Sequence, residues 1–173
     1  CFAGEFERSE KQLSVLAQAG QQAELGTLVY RSALLAERSR QEFFQKQEYS
    51  LHPPARTQLS GTLNGVAFRS ICDADPRIGP RLEVFVGGRY VWIPFEHVQS
   101  VTMQAPRRLR DLLWSPAIVR TSADFQVRDL GEVLVPVLSP FSWTHADHQV
   151  RLGRVTVWEE KDGLEIPFGQ KML

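Results

Sequence analysis

The chain has 173 residues, of which 43% are hydrophobic, so it can form one domain, or two small ones, with a packed core. Twenty basic and twenty acidic residues give a formal net charge of zero, which argues against nucleic-acid binding because such domains carry a basic excess. No apolar run approaches the roughly 20 residues that cross a bilayer, so no membrane insertion is expected.

Residues 1–52 are predicted to be helical. The first helix places Phe2, Phe6, Leu13 and Leu16 near one face, and Gly20 ends it. The second helix lies in AELGTLVYRSALLAERSRQEFF, and its predicted apolar residues are Leu25, Leu28, Val29, Leu35 and Phe43. Its predicted solvated residues are Arg31, Glu37, Arg38 and Glu42. Together the two helices form an αα-hairpin.

The start of this hairpin resembles helix B of a tetratricopeptide repeat, because Gly4-Glu5-Phe6 is followed by the small Ser9 and by Leu13. A repeat buries its apolar face against neighbouring repeats. We therefore expect either that a helical segment before residue 1 is missing or that the helices pack on the rest of the chain. Pro53 and Pro54 then predict an extended linker.

Residues 57–173 are predicted to form a mostly antiparallel, β-rich domain. Asn64-Gly65 is the strongest signal for a two-residue type I′ hairpin turn, and Gly87-Gly88 marks a second hairpin with Trp92 in its second strand. Further strands are predicted at 98–103, 117–121, 132–138 and 152–158. The fold class is therefore α+β, with a tetratricopeptide-like helical hairpin before the sheet.

PRRLRDLLW is predicted to be a short helix that closes one end of the sheet. It would pack Leu109, Leu112, Leu113 and Trp114 on one side and leave Arg107, Arg108 and Arg110 solvated beside Asp111.

The pair Asp73 and Asp75 in DADPR is predicted to form a turn. Their carboxylates would accept backbone N–H hydrogen bonds and Pro76 would fix the bend, because the oxygen ligands of a calcium loop are absent from the sequence around them. Glu96 and His97 are adjacent, so on a strand they would point to opposite faces.

His145 and His148 form an H-x-x-H pattern, which could bind a metal on a helix. The pattern follows Pro140 in a predicted surface loop and lacks a clear third ligand, so no metal site is predicted. No nucleophile elbow and no phosphate-binding loop occurs in the sequence, so no catalytic residue and no cofactor is predicted. Two cysteines, Cys1 and Cys72, are typical of a reducing cytoplasm.

Several strings give the chain a more specific resemblance. These are SGTLNGVAFRSICDADPRIGPRLEVFVGGRYVWIPFEHVQSV, PRRLRDLLWSPA, LGRVTVWEE, the terminal GQKML, and CFAGEFERSEKQL in the helical part. Together they resemble the ImpE/TagJ (SciE) family of bacterial type VI secretion. The resemblance implies a cytoplasmic, non-enzymatic adaptor. It also implies two partners, the N-terminal helix of the small sheath subunit and the AAA+ ATPase that recycles the sheath.

Under this interpretation a partner helix would dock on the helical hairpin, with Phe2, Phe6, Leu13 and Tyr30 as contacts. The alternative is that these side chains pack on the second helix or on the sheet. The turn and strand residues would only maintain the scaffold; they are Asn64, Gly65, Asp73, Asp75, Pro76, Gly87, Gly88, Trp92, Arg110, Asp111 and Trp114. One alternative is a hydrolase or metal enzyme that uses His97, His145, His148 and the Asp73/Asp75 pair. Another is a structural subunit with a large exposed apolar patch on its sheet.

Overall fold

The computed structural model describes residues 4–18, 21–46, 58–125 and 129–172. The helices are α1 Phe6–Ala17, α2 Gln21–Lys46 and α3 His148–Arg151, and short 3₁₀ helices span Phe95–His97, Leu109–Leu112 and Ser142–Thr144. The strands are β1 Gly61–Leu63, β2 Val66–Phe68, β3 Arg81–Val86, β4 Arg89–Pro94, β5 Val98–Met103, β6 Trp114–Thr121, β7 Asp129–Pro136, β8 Thr156–Lys161 and β9 Leu164–Gly169. Phe2 and the predicted Pro53-Pro54 linker lie outside the described residues.

The described residues form a helical hairpin followed by antiparallel strands, which confirms the predicted α+β class. The central sheet has five strands in the order β4-β3-β7-β6-β5, and β1-β2 and β8-β9 form separate hairpins. Both predicted tight turns are present. Asn64 and Gly65 have φ values of 50° and 82°, and Gly87 and Gly88 have values of 55° and 77°. Positive φ at both central residues is what a type I′ turn requires.

Each face of the central sheet carries its own core. On the helix side, α2 contributes buried Ala33, Ala36 and Phe44, which pack with sheet residues that include Phe85 and Trp114. On the opposite, loop side, the core consists of Leu82, Val84, Ile93, Phe95, Ala117, Val119, Val133 and Val135, with Leu59, Ile71 and Phe125 packed against it. The boundary predicted between residues 52 and 57 lies outside the described residues and stays a prediction, and the helix-side core contains residues from before and after it.

The apolar face predicted for α2 is wrong at two positions. Leu28 and Leu35 are each 54% exposed, whereas Glu37, predicted to be solvated, is buried. Glu37 is buried because its carboxylate accepts a hydrogen bond of 3.1 Å from the Trp114 indole N–H. Arg40 is buried on the same side of the helix. Charged residues with partners in the sheet therefore set the orientation of α2.

The segment predicted as a short helix with one apolar side is a 3₁₀ helix, Leu109–Leu112, with a different pattern of burial. Leu109 and Leu112 are exposed, because residues three apart lie above one another in a 3₁₀ helix and share its outer side. Arg110, predicted to be solvated, is buried and bonds to Asp111 at 2.9 Å. The Asp111 carboxylate also accepts the backbone N–H of Arg107 at 3.0 Å. Trp114 is fully buried, as a closing residue requires.

Strand positions near the C-terminus differ from the prediction. The strand expected at 152–158 begins only at Thr156, because the preceding residues end α3 and form a turn at Gly153. Its hairpin partner β9, Leu164–Gly169, was not predicted. Pro167 lies within β9, and because proline is rare in strand interiors, the sequence did not indicate a strand there.

Candidate partner-binding surface

Side-chain bonds between α1 and α2 fix one face of the helical hairpin. Arg38 pairs with Glu10 at 2.9 Å, and Arg31 donates to the Ser14 hydroxyl at 3.3 Å. Residues seven apart lie on the same face of a helix, so Arg31 and Arg38 define the side of α2 that contacts α1.

Among the hairpin side chains that the structure describes, four large apolar ones are more than half exposed. They are Val15 and Leu16 on α1 and Leu28 and Leu35 on α2, and we call them the exposed hairpin residues. Leu28 and Leu35 are also seven apart, so they form a stripe on α2 next to the α1-facing side. Exposed apolar side chains that share one side of a helix are candidates for contact with another element.

The contacts predicted for a partner helix do not all lie on this surface. Phe6 is half-buried, and its ring makes an edge contact with Trp143 at a centroid distance of 6.0 Å. Gly4 lies so close to the same indole that an added Cβ would be 2.3 Å from it. The start of α1 therefore packs on the Ser142–Thr144 segment. Leu13 is half-buried, while Tyr30 is 38% exposed and remains accessible.

A buried ionic cluster joins α2 to the sheet, and sequence analysis did not predict it. Glu83 of β3 has no exposed surface, and Arg40 of α2 bonds both of its carboxylate oxygens, at 2.8 and 2.9 Å. Arg40 also donates to the Leu138 carbonyl at 2.9 Å. The Lys171 ammonium group pairs with Glu83 and with Asp73. The hydroxyl of Tyr90 donates to Glu83 as well.

This cluster shifts two carboxyl groups in opposite directions. Burial alone would raise the pKa of Glu83, but Arg40 and Lys171 outweigh burial and lower it to about 2. For Asp73 burial is the largest effect, and despite the attraction of Lys171 it raises the pKa to about 6. Glu83 is thus held as an anion, whereas Asp73 takes up a proton at mildly acidic pH.

The Asp73–Asp75 turn lies next to this cluster and contributes Asp73 to it. Asp73 accepts the backbone N–H of Asp75 at 3.0 Å, and Asp75 accepts that of Arg77 at 2.9 Å, which is the predicted turn chemistry. The Arg77 guanidinium then forks onto the Asp75 carboxylate, with contacts of 2.8 and 2.5 Å. Both carboxylates are buried and engaged in these bonds, an arrangement that stabilises a turn.

Aromatic residues complete the packing around the cluster. Trp92 donates its indole N–H to the Tyr90 hydroxyl at 2.6 Å. The ring of Phe43 lies 4.8 Å from that of Trp92, and the Arg81 guanidinium lies 4.8 Å from the Trp92 centroid. Trp92 therefore links α2 to β4 on the helix side of the sheet.

The histidines lie in separate surroundings. His97 packs on Phe125 at a centroid distance of 5.3 Å, and His145 lies 3.7 Å from a Glu159 carboxylate oxygen. His148 is exposed and contacts Arg151 within α3, so the predicted surface loop contains short helices. In the ranges that the structure describes, no group of three or more His, Cys, Asp or Glu side chains is placed to hold a metal ion.

Comparison with known proteins places this architecture in a family. A family model described as ImpE protein matches residues 65–173, which is more than half of the chain. The chain belongs to the ImpE family. The resemblance predicted from the sequence is therefore confirmed.

Two individual proteins are similar to this ImpE-family chain. It is 34% identical over 120 residues to a Pseudomonas aeruginosa protein named type VI secretion system accessory component TagJ, an alignment that covers 68% of the chain and 40% of TagJ. The chain thus spans well under half of the length of that relative. The crystal structure of protein VPA1032 from Vibrio parahaemolyticus superposes with a TM-score of 0.81 at 19% identity, over 99% of this chain and 75% of that one, and has the same fold.

The ImpE match covers the sheet, Glu83 and Lys171, while Arg40 and the exposed hairpin residues precede it. The described helices of this ImpE-family chain include none that is long and apolar enough to span a membrane.

Proposed function

We propose that this ImpE-family chain acts in bacterial type VI secretion as an accessory protein that binds another protein and catalyses no reaction. The exposed hairpin residues are the observation that carries this proposal. They leave large apolar side chains exposed on a hairpin whose second helix the Arg40–Glu83 pair joins to the sheet. Family membership and the name of the similar TagJ protein support the secretion context.

The partner that fits this surface is an amphipathic helix. Such helices bind through apolar side chains at i, i+3, i+4 and i+7, and Leu28 and Leu35 offer apolar contacts at a matching seven-residue spacing. The zero net charge means that the affinity must come from apolar anchors. We assign this role to the N-terminal helix of the small sheath subunit, in the cytoplasm. The AAA+ ATPase that recycles the sheath is the second proposed partner.

The contacts in this proposal are revised from those of the sequence analysis. Leu28 and Leu35 are accessible on one side of α2, whereas Phe6 packs on Trp143. Phe6→Ala is therefore expected to act through stability. Tyr30 is also accessible, but it is two residues from Leu28 and therefore lies on another side of the helix.

Calorimetric titration with a peptide of the sheath subunit's N-terminal helix tests the proposal. Leu28→Ala and Leu35→Ala are each expected to weaken binding by about tenfold or more, the effect of truncating an apolar anchor, with an unchanged melting temperature. Leu63→Ala is the matched control, because Leu63 is 52% exposed but lies on the β1-β2 hairpin. Equal affinities of all three variants and the unmodified chain, or no binding by any of them, would contradict the proposed surface.

A further inference from the structure

Strand β5 is an edge of the central sheet that is unusually open. In the described part of the chain, β5 pairs with β6 alone, and every residue from Gln99 to Met103 is exposed. The opposite edge, β4, has Arg89 at one end and Pro94 at the other, features that discourage a further strand. Strand β5 contains neither a charge nor a proline.

The apolar face of the sheet that forms the loop-side core extends onto β5, but the side chains there are exposed. Val101 is opposite Val119, and Met103 is opposite Ala117, so each pair shares one face of the sheet. Val119 and Ala117 are buried, whereas Val101 and Met103 are 39% and 49% exposed. Two apolar side chains of the core face thus lie in water at a strand edge whose alternate N–H and C=O groups point outward.

The charges that flank β5 indicate what covers it. Glu96 precedes the strand, and Arg107 and Arg108 follow it; all three are exposed. Two copies of β5 related by a two-fold axis run antiparallel, so the acidic end of each lies beside the basic end of the other. The strand is therefore complementary in charge to itself.

We propose that β5 pairs antiparallel with β5 of a second copy of this chain, with Thr102 opposite its own counterpart. This register places Val101 against Met103 of the second copy, which covers both apolar side chains and joins the two sheets. It also brings Glu96 to about the level of Arg108 of the second copy. The irregular pairing between β5 and β6 is confined to Val98–Ser100, which leaves Ser100–Met103 regular for the new ladder.

Sedimentation velocity of the full chain over a wide range of concentrations tests this dimer. The unmodified chain is expected to dimerise, and Val101→Lys is expected to raise the dissociation constant about tenfold or more, since it brings like charges together across the axis. Val66→Lys is the matched control, because Val66 is a strand valine that is 72% exposed on the separate β1-β2 hairpin. A monomeric unmodified chain overturns the proposal, as does a folded Val101→Lys variant that dimerises normally.

Two further variants test the register. Glu96→Arg and Arg108→Glu should each weaken the dimer, and the double variant should restore it, because each change reverses one charge of the same intermolecular pair. In a background without Cys1 and Cys72, Thr102→Cys should form an intermolecular disulfide on mild oxidation, and Val66→Cys should not. Absence of rescue together with equal cross-linking of both cysteine variants overturns the assigned register.

Discussion

At the scale of single residues, Glu83 shows why sequence could not predict the centre of this molecule. In RLEVFV, Glu83 lies between the apolar Leu82 and Val84. The two-residue period of a strand therefore predicts that its side chain points to a polar face of the sheet. That face is covered by α2, and the carboxylate is buried because Arg40 and Lys171 reach it from distant parts of the chain. Ion pairs between residues that are distant in the chain leave no pattern in the local sequence. The Asp73–Asp75 turn, in contrast, was predictable because its partners are two residues away.

The same pairing predicts an asymmetry between two arginines of α2. Arg40→Ala should lower the free energy of unfolding by about 3 to 5 kcal/mol, because it removes one partner of a buried ion pair and leaves Glu83 short of a counter-charge. Arg38→Ala is the control on the same helix. Arg38 pairs with Glu10 at a partly exposed position, so the loss should be at most about 1 kcal/mol. Urea unfolding curves measure both, and similar midpoints for the two variants would contradict the role given to Arg40.

At the scale of elements, period and turn chemistry predicted most of the sheet but not the orientation of α2. The type I′ signals at Asn64-Gly65 and Gly87-Gly88 depend on φ angles that few residues adopt, so they hold in any surroundings. The side of a helix that is buried depends instead on what it packs against. On α2 that side includes Glu37 and Arg40, while Leu28 and Leu35 are left in water.

The β1-β2 hairpin offers a test of turn chemistry in isolation. Asn64→Val should destabilise this hairpin by roughly 1 kcal/mol or more, because a β-branched residue resists the φ of 50° found there. Most of the hairpin is exposed, so the effect should appear as faster amide exchange at Leu63 and Val66, the hydrogen-bonded pair that flanks the turn, with little change in the global urea midpoint. Asn64→Gly, which tolerates positive φ, should leave the exchange nearly unchanged. Equal exchange rates in both variants would show that the turn residue does not limit the hairpin.

At the scale of the whole molecule, the buried cluster contains residues from parts of the chain that sequence analysis assigned to separate domains. Arg40 comes from the helical hairpin, Glu83 from the central sheet and Lys171 from the C-terminal segment. The helix-side core likewise combines α2 with the sheet. The division at residues 52–57 followed from a change of period, and period describes only local structure. Which elements share a core is decided by contacts between distant residues.

The cluster also predicts how the stability of the whole fold depends on pH. The pKa of Glu83 is lowered to about 2 in the folded state, so its contribution is present above its ordinary value of 4.5 and is lost as the pH falls towards 2. The pKa of Asp73 is raised to about 6, so the folded state binds that proton more tightly than the unfolded state, and stability falls as the pH rises from its ordinary value of 3.8 to about 6. Each of these two changes in the free energy of unfolding is on the order of 3 kcal/mol.

Stability should therefore be greatest near pH 4 to 5 as far as these two groups decide it. Asp73→Asn keeps the side-chain oxygen that accepts the Asp75 N–H but cannot titrate, so it should abolish the decline towards pH 6 while the loss at low pH remains. Urea unfolding across the acidic range, with the chain and this variant measured side by side, gives both profiles. If the two profiles have the same shape, Asp73 does not cause the decline in stability towards pH 6, and its ion pair with Lys171 keeps the carboxylate charged throughout.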